Sequence, residues 1–197
     1  MLRPDSFPVS LDLWGGRLGI SAHAMKLAPI IPIRRQEPLD DDGWAAELKL
    51  DGLRGIADTI NGRMLSKNLN PLRRFQHLLD GLPFDCVFDG EIVVFDQDGR
   101  PDFNSLLFGR REPVYIVFDL LFYEGEDIRS LPLKERRAIL DQIVKRYHSL
   151  QKSELFIGCA NKLYGTVCSM DLEGIVLKKT RCSLRPGSNE MVESTEP

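Results

Sequence analysis

Lys49, Asp51, Gly52 and Arg54 make the pattern KxDGxR, and Glu47 stands two residues upstream of the lysine. One short, turn-bounded segment thus collects an amine, two carboxylates, a glycine and a guanidinium. Lysine amines form covalent intermediates when they are activated as nucleophiles, and Lys49 is read as the owner of the reacting atom. Two further stretches carry candidate chemistry. Asp89 and Glu91 fall on one face of the apolar run Val87 to Phe95, and carboxylates in such surroundings need partners. Glu173 precedes the apolar run Gly174-Ile175-Val176-Leu177 and the lysines Lys178 and Lys179.

The elements that must position these groups are mostly strands. Trp44, Ala46, Leu48 and Leu50 alternate with Glu47, Lys49 and Asp51, a period of two that predicts one apolar and one polar strand face. The polar face either meets solvent or lines a cleft. Gly55 to Ile60 reads as a second strand, and Asn61-Gly62 predicts a type I′ hairpin returning through Arg63 to Ser66. Asn70-Pro71 reads as the N-cap and first residue of a helix to about Leu79. A short helix is expected over Phe103 to Phe108, ending before Gly109. Val114 to Phe122 is a nearly continuous apolar run, the pattern of a buried strand. Leu131 to about Tyr147 reads as a helix with Leu133, Ile139, Leu140, Ile143 and Val144 inward. Its charged residues, Arg136 and Arg137 included, read as a solvated face.

Taken together, KxDGxR at Lys49, the Asp-Gly-Glu triplet ending at Glu91, the Phe118-Asp119-Leu120 step and the Glu-Gly-Ile-Val stretch from Glu173 resemble the covalent nucleotidyltransferases. The resemblance runs from about Lys26 to Lys179 and is nearest to the adenylation domain of bacterial-type ATP-dependent DNA ligases. It implies an α+β fold, antiparallel sheets flanked by helices in the ATP-grasp-like nucleotidyltransferase arrangement. By the same resemblance Lys49 attacks the α-phosphate of ATP and carries AMP as a phosphoramidate. Glu91 binds the ribose, Phe118 stacks on adenine, and the neighbourhood of Glu47 reads the amino edge of the base. Arg54 and Lys67 aid phosphate orientation, with Lys67 standing where the family carries an arginine. Glu173 holds magnesium, for which one or two carboxylates plus the triphosphate suffice. The family's phosphate-binding lysine corresponds to Lys178, although strand parity favours Lys179, and the sequence leaves both open. Arg54 is also a cation near Lys49 that favours its neutral amine, while Glu47 and Asp51 oppose it.

The implied acceptor is nicked double-stranded DNA. Beyond Pro186-Gly187 the resemblance stops, because the family's tryptophan and two alternate lysines are missing from Ser188 to Pro197. The implied organisation is a proline-rich arm over 1–42, an adenylation domain over 43–180 and a divergent, disordered tail over 181–197. The chain ends where a ligase's oligonucleotide-binding domain begins, so a separate domain of that kind or a repair partner is the expected complement. The alternatives are an adenine-nucleotide-binding remnant without catalysis and an RNA ligase.

Composition sets the outer bounds. A chain of 197 residues has ample material for one core, and 43% hydrophobic with 28% charged residues is ordinary for a globular protein. Net charge of -3 gives no global basic field, so nucleic-acid contacts must come from local patches. No apolar run reaches membrane-spanning length and no signal-peptide core stands at the start, which makes a cytoplasmic, membrane-free protein the expectation. Cys86, Cys159, Cys168 and Cys182 show no paired spacing and are read as buried free thiols.

Overall fold

Strand-forming residues covered on two faces build the centre of the molecule. In the computed structural model, which describes residues 32–147, 149–181, 183–184 and, as a strand, 191–195, they form two sheets. The first contains β1 (Ile33–Arg35), β2 (Trp44–Leu48), β9 (Phe156–Ile157), β10 (Gly174–Lys179) and β11 (Met191–Thr195) in the order β1-β11-β10-β2-β9. The second contains β3 (Leu53–Asp58), β4 (Arg63–Ser66), β5 (Val87–Val93), β6 (Val114–Tyr123) and β7 (Glu126–Asp127) in the order β4-β3-β5-β6-β7, with β8 (Gln151–Lys152) parallel to β6. Apart from β6 with β8 and β1 with β11, the pairings are antiparallel. The α+β expectation holds.

Helices close the outer faces. Helix α1 (Phe103–Phe108) starts at Asp102, whose carboxylate accepts the Ser105 amide at 2.9 Å, and stops at Gly109 with φ of 64°. Helix α2 (Leu133–Arg146) packs on β6, and α3 (Ala160–Ser169) packs on β10 and β2. The main core joins Phe88, Ile92, Val94, Leu106, Val117 and Leu120 to Leu140 and Ile143 of α2. Ala46, Ile175 and Leu177 of the first sheet pack with Ala160 and Val167 of α3 in a separate core. Among the described residues no helix is long and apolar enough to cross a membrane.

Several local expectations change. The β3–β4 hairpin pairs Asp58 with Arg63, so its loop is the four residues Thr59 to Gly62 rather than a two-residue type I′ turn. Asp58 is fully buried and its carboxylate accepts the Asn61 amide at 3.0 Å, which stabilises the longer loop. The segment after Pro71 is a 3-10 helix over Arg73–Leu79 without a side-chain cap, because Pro71 is held in a bridge to Leu65. Arg136 and Arg137, read as solvated, are 1% and 4% exposed. Met191–Thr195, read as part of a disordered tail, forms β11 between β1 and β10, since β10 would otherwise leave its edge unpaired. Of the thiols, Cys86 is buried while Cys159 and Cys168 are partly exposed. Cys182, Lys26 to Pro29 and most of the proline-rich arm lie outside the described residues.

Two glycines set how closely the sheets' segments approach. A Cβ on Gly52 would lie 2.5 Å from the Ile92 carbonyl oxygen, and one on Gly90 would lie 2.5 Å from that of Ile116 and 2.8 Å from the Tyr115 ring. The Tyr115 ring cannot swing aside, because its hydroxyl sits 2.8 Å from the Gly55 carbonyl oxygen. Gly90→Ala is therefore expected to cost about 1–3 kcal/mol through overpacking, read as a lower urea midpoint. An unchanged midpoint contradicts this close packing.

Candidate active site

A cavity of about 630 Å³ opens between the two sheets, within the range of small-ligand sites. The first sheet contributes Glu47 from β2, then Leu48, Lys49, Leu50 and Asp51, and from the other side Glu173, Val176 and Lys178. The second contributes Arg54 from β3, Glu91 from β5 and Phe118 from β6, with Lys67 and Asn68 beyond β4. Glu47, Lys49, Arg54, Lys67, Glu91, Phe118, Glu173 and Lys178 line this one space, whereas Asp89 and Lys179 do not. The polar face of the Lys49 segment thus lines a cleft rather than solvent.

Lys49 follows the last residue of β2, and its amide donates to the Gly174 carbonyl at 2.9 Å. That bond ties the KxDGxR turn to the start of β10 and brings the Lys49 amine into an ion pair with Glu173. Arg54 does not stand as an uncompensated cation near Lys49. Its Nε and Nη2 donate to the two Asp89 carboxylate oxygens at 3.0 and 2.6 Å. Burial alone lowers the Arg54 pKa, but the Asp89 charge and hydrogen bonds outweigh it and the net shift is upward.

Lys178 and Lys179 separate cleanly. The Lys178 amine is buried, 2.6 Å from Glu47 Oε2, 3.4 Å from the Phe118 carbonyl oxygen and 4.6 Å from the centre of the Phe118 ring. Lys179 is exposed and lies over Trp44. Strand parity pointed to Lys179 because it was carried back to Glu173, yet β10 begins only at Gly174, whose φ of 149° follows Asp171 at 55°. The alternation is broken between the two positions.

Glu47 is 3% exposed and doubly paired, since Arg137 Nη1 approaches its Oε1 at 3.4 Å. Arg137 and Ser153 are site neighbours that the sequence reading missed. A signal was present: Leu133, Arg136, Arg137, Leu140 and Ile143 share one helical stripe, so the arginines sit where apolar residues belong.

Burial pushes the Glu91 carboxyl up to about 8, with Arg54 opposing and Asp89, Glu173 and Asp51 adding to the rise. The ligand-free folded protein therefore holds a proton that the unfolded chain releases, from the ordinary value of 4.5 up to about 8. The stability this group contributes is full below that window and falls as pH rises through it. Glu91→Gln should consequently gain stability over the unsubstituted protein from about pH 4.5 to about 8 and level off above, measured as melting temperature against pH. Parallel curves for the two proteins contradict the assignment.

Among the described residues no three acidic, histidine or cysteine side chains converge as a preformed metal cage. The oxygen donors Asp51 and Glu173 still line the cavity, which suits a hard cation that keeps waters and shares phosphate ligands.

Residues 33–192 match the family described as the ATP dependent DNA ligase domain. The multifunctional non-homologous end joining protein LigD of Pseudomonas aeruginosa is 37% identical over 156 residues, which cover 72% of this chain and 19% of that protein. The SPbeta prophage-derived DNA ligase-like protein LigB of Bacillus subtilis is 29% identical over 165 residues, covering 79% of this chain and 61% of LigB. The chain therefore spans less than two thirds of either relative. A solved mycobacterial DNA ligase D complexed with ATP and MES superposes with a TM-score of 0.73 at 24% identity, covering 86% of this chain and 60% of that one. The ligase domain of M. tuberculosis LigD gives 0.69 at 23%, covering 83% and 58%. At those identities the two structures speak for the fold.

Proposed function

This chain belongs to the ATP-dependent DNA ligase domain family, and from that premise we propose that its inter-sheet cavity is an adenylation site, with Lys49 accepting AMP from ATP and passing it to a DNA 5′-phosphate at a nick. The observation that carries the reading is the convergence of Lys49 after β2, Glu91 of β5, Phe118 of β6, and Glu173 and Lys178 of the β10 segment on one cavity of nucleotide size.

In this reading the base stacks on Phe118 near Glu47 and Lys178, the ribose hydroxyls donate to Glu91, and the phosphates run toward Lys49 and Lys67. The Lys49 amine leaves its pair with Glu173, gives up a proton to solvent and attacks the α-phosphorus. A P–N bond forms as the bond to the β-phosphate oxygen breaks, and pyrophosphate departs in line. Magnesium, when bound, neutralises charge on the phosphate oxygens, with Glu173 as its holder and Asp51 beside it. Arg54, locked on Asp89, presents a fixed positive edge next to Glu91 without needing to reorganise. In the second step an oxygen of the DNA 5′-phosphate attacks the AMP phosphorus and the P–N bond breaks, the Lys49 amine taking a proton from solvent; in the third a 3′-hydroxyl attacks the 5′-phosphorus, loses its proton and displaces AMP to seal the strand. A separate oligonucleotide-binding domain or repair partner would supply the DNA contacts that a net charge of -3 does not.

A second reading, nucleotide binding with slow transfer, draws on β11. After Lys179, where the family carries two phosphate-binding lysines, this chain runs Met191-Val192-Glu193-Ser194-Thr195. One assay separates the two. With magnesium and ATP labelled on the α-phosphate, the protein should retain label, label on the γ-phosphate should be lost, and nicked duplex should then collect the AMP. ATP binding without retained label refutes adenylation and leaves the second reading.

A further inference from the structure

We propose that Arg137, which does not itself line the cavity, is a positioning residue that fixes the hydrogen-bond pattern of the base wall and so the preference for adenine over guanine. The inference rests on the adenylation reading for the location of the base.

The guanidinium is 4% exposed and projects from α2 toward the back of the cavity. Its Nη1 donates to the Phe118 carbonyl oxygen at 3.0 Å, lies 3.2 Å from Ser153 Oγ and reaches Glu47 Oε1 at 3.4 Å. Its Nη2 donates to the Ser153 carbonyl oxygen. These contacts reach β2, β6 and the segment after β8 at once, and Glu47, Phe118 and Ser153 all line the cavity. Lys178 completes the frame from β10 through Glu47 Oε2 and the same Phe118 oxygen. Each acceptor is therefore held from behind, which leaves its remaining lone pairs in fixed directions toward the base. Carboxylate and carbonyl oxygens accept from the 6-amino group of adenine and repel the 6-oxygen of guanine. A planar fork with five donors meets several acceptors simultaneously, whereas an ammonium on a flexible stem does not.

Arg136 supplies the internal control. It lies one residue away on α2 and is 1% exposed, but its partners are Asp119 and the Leu131 carbonyl, neither of which lines the cavity. A purely structural role would make the two arginines equivalent.

The test compares the full chain with Arg137→Gln, Arg137→Lys and, as control, Arg136→Lys. It follows KM and kcat for self-adenylylation with ATP and GTP, alongside equilibrium binding of both nucleotides. Arg137→Gln should raise KM for ATP about ten-fold or more and narrow the ATP-to-GTP ratio, with kcat within a few-fold, since loss of hydrogen bonds to charged groups has that size. Arg137→Lys should fall between, and Arg136→Lys should move neither quantity. If Arg137→Gln does not fold, Arg137→Lys carries the comparison. Unchanged KM and nucleotide ratio in the Arg137 variants, or the same change in Arg136→Lys, overturns the proposal. Should the unsubstituted chain bind ATP yet take no label, the adenylation reading fails separately, and the binding ratios still decide the role of Arg137. Absence of any ATP binding overturns both.

Discussion

Lys49→Arg should take up no label from α-labelled ATP, a fall of more than about 10³-fold, while keeping the melting temperature of the unsubstituted chain. The two expectations together make the substitution informative. Arginine preserves the positive charge and therefore the pairing with Glu173 that ties the KxDGxR turn to the approach to β10. What it removes is a nitrogen that can lose its proton and form a bond to phosphorus, because a guanidinium stays protonated in proteins. Loss of label with a large fall in melting temperature would mean that Lys49 serves the fold. Retained label would place the nucleophile elsewhere.

The second large effect is on stability. Asp119→Ala is expected to cost about 3–5 kcal/mol, because it strands a buried guanidinium. Arg136 Nε and Nη2 each donate to an Asp119 oxygen at 2.8 Å, and the two side chains are 1% and 4% exposed. This pair staples α2 to β6. For a chain of this size the loss corresponds to roughly 6–20 °C in melting temperature. Replacing both partners together, Asp119→Leu with Arg136→Met, should recover most of the loss, since an apolar pair of similar volume needs no charge compensation. A single-variant loss below about 1 kcal/mol would indicate that the pair is effectively solvated.

The sequence carried the site further than it carried the scaffold, for a physical reason. Lys49, Glu91, Phe118 and Glu173 sit in short segments whose spacing is set by local backbone geometry. Such constraints are written into neighbouring residues. Arg136 and Arg137 depend instead on Asp119, Glu47 and Ser153, which are remote in sequence, so their charge suggested solvent while their helical phase pointed inward. The hairpin loop was misjudged because the buried Asp58 carboxylate, not the Asn-Gly pair alone, sets its length. Lys178 was left open against Lys179 because an irregular backbone between Asp171 and Gly174 cancels strand parity. Strand β11 was missed because its polar residues look unsuited to a sheet until the open edge of β10 is known.

The adenylation account reduces to one bond between the Lys49 amine and the phosphorus of AMP. Peptide mapping by tandem mass spectrometry after incubation with ATP and magnesium reads that bond directly. The prediction is an acid-labile AMP adduct confined to the peptide containing Lys49. An adduct on a different residue, or ATP binding with every Lys49 peptide unmodified, contradicts it.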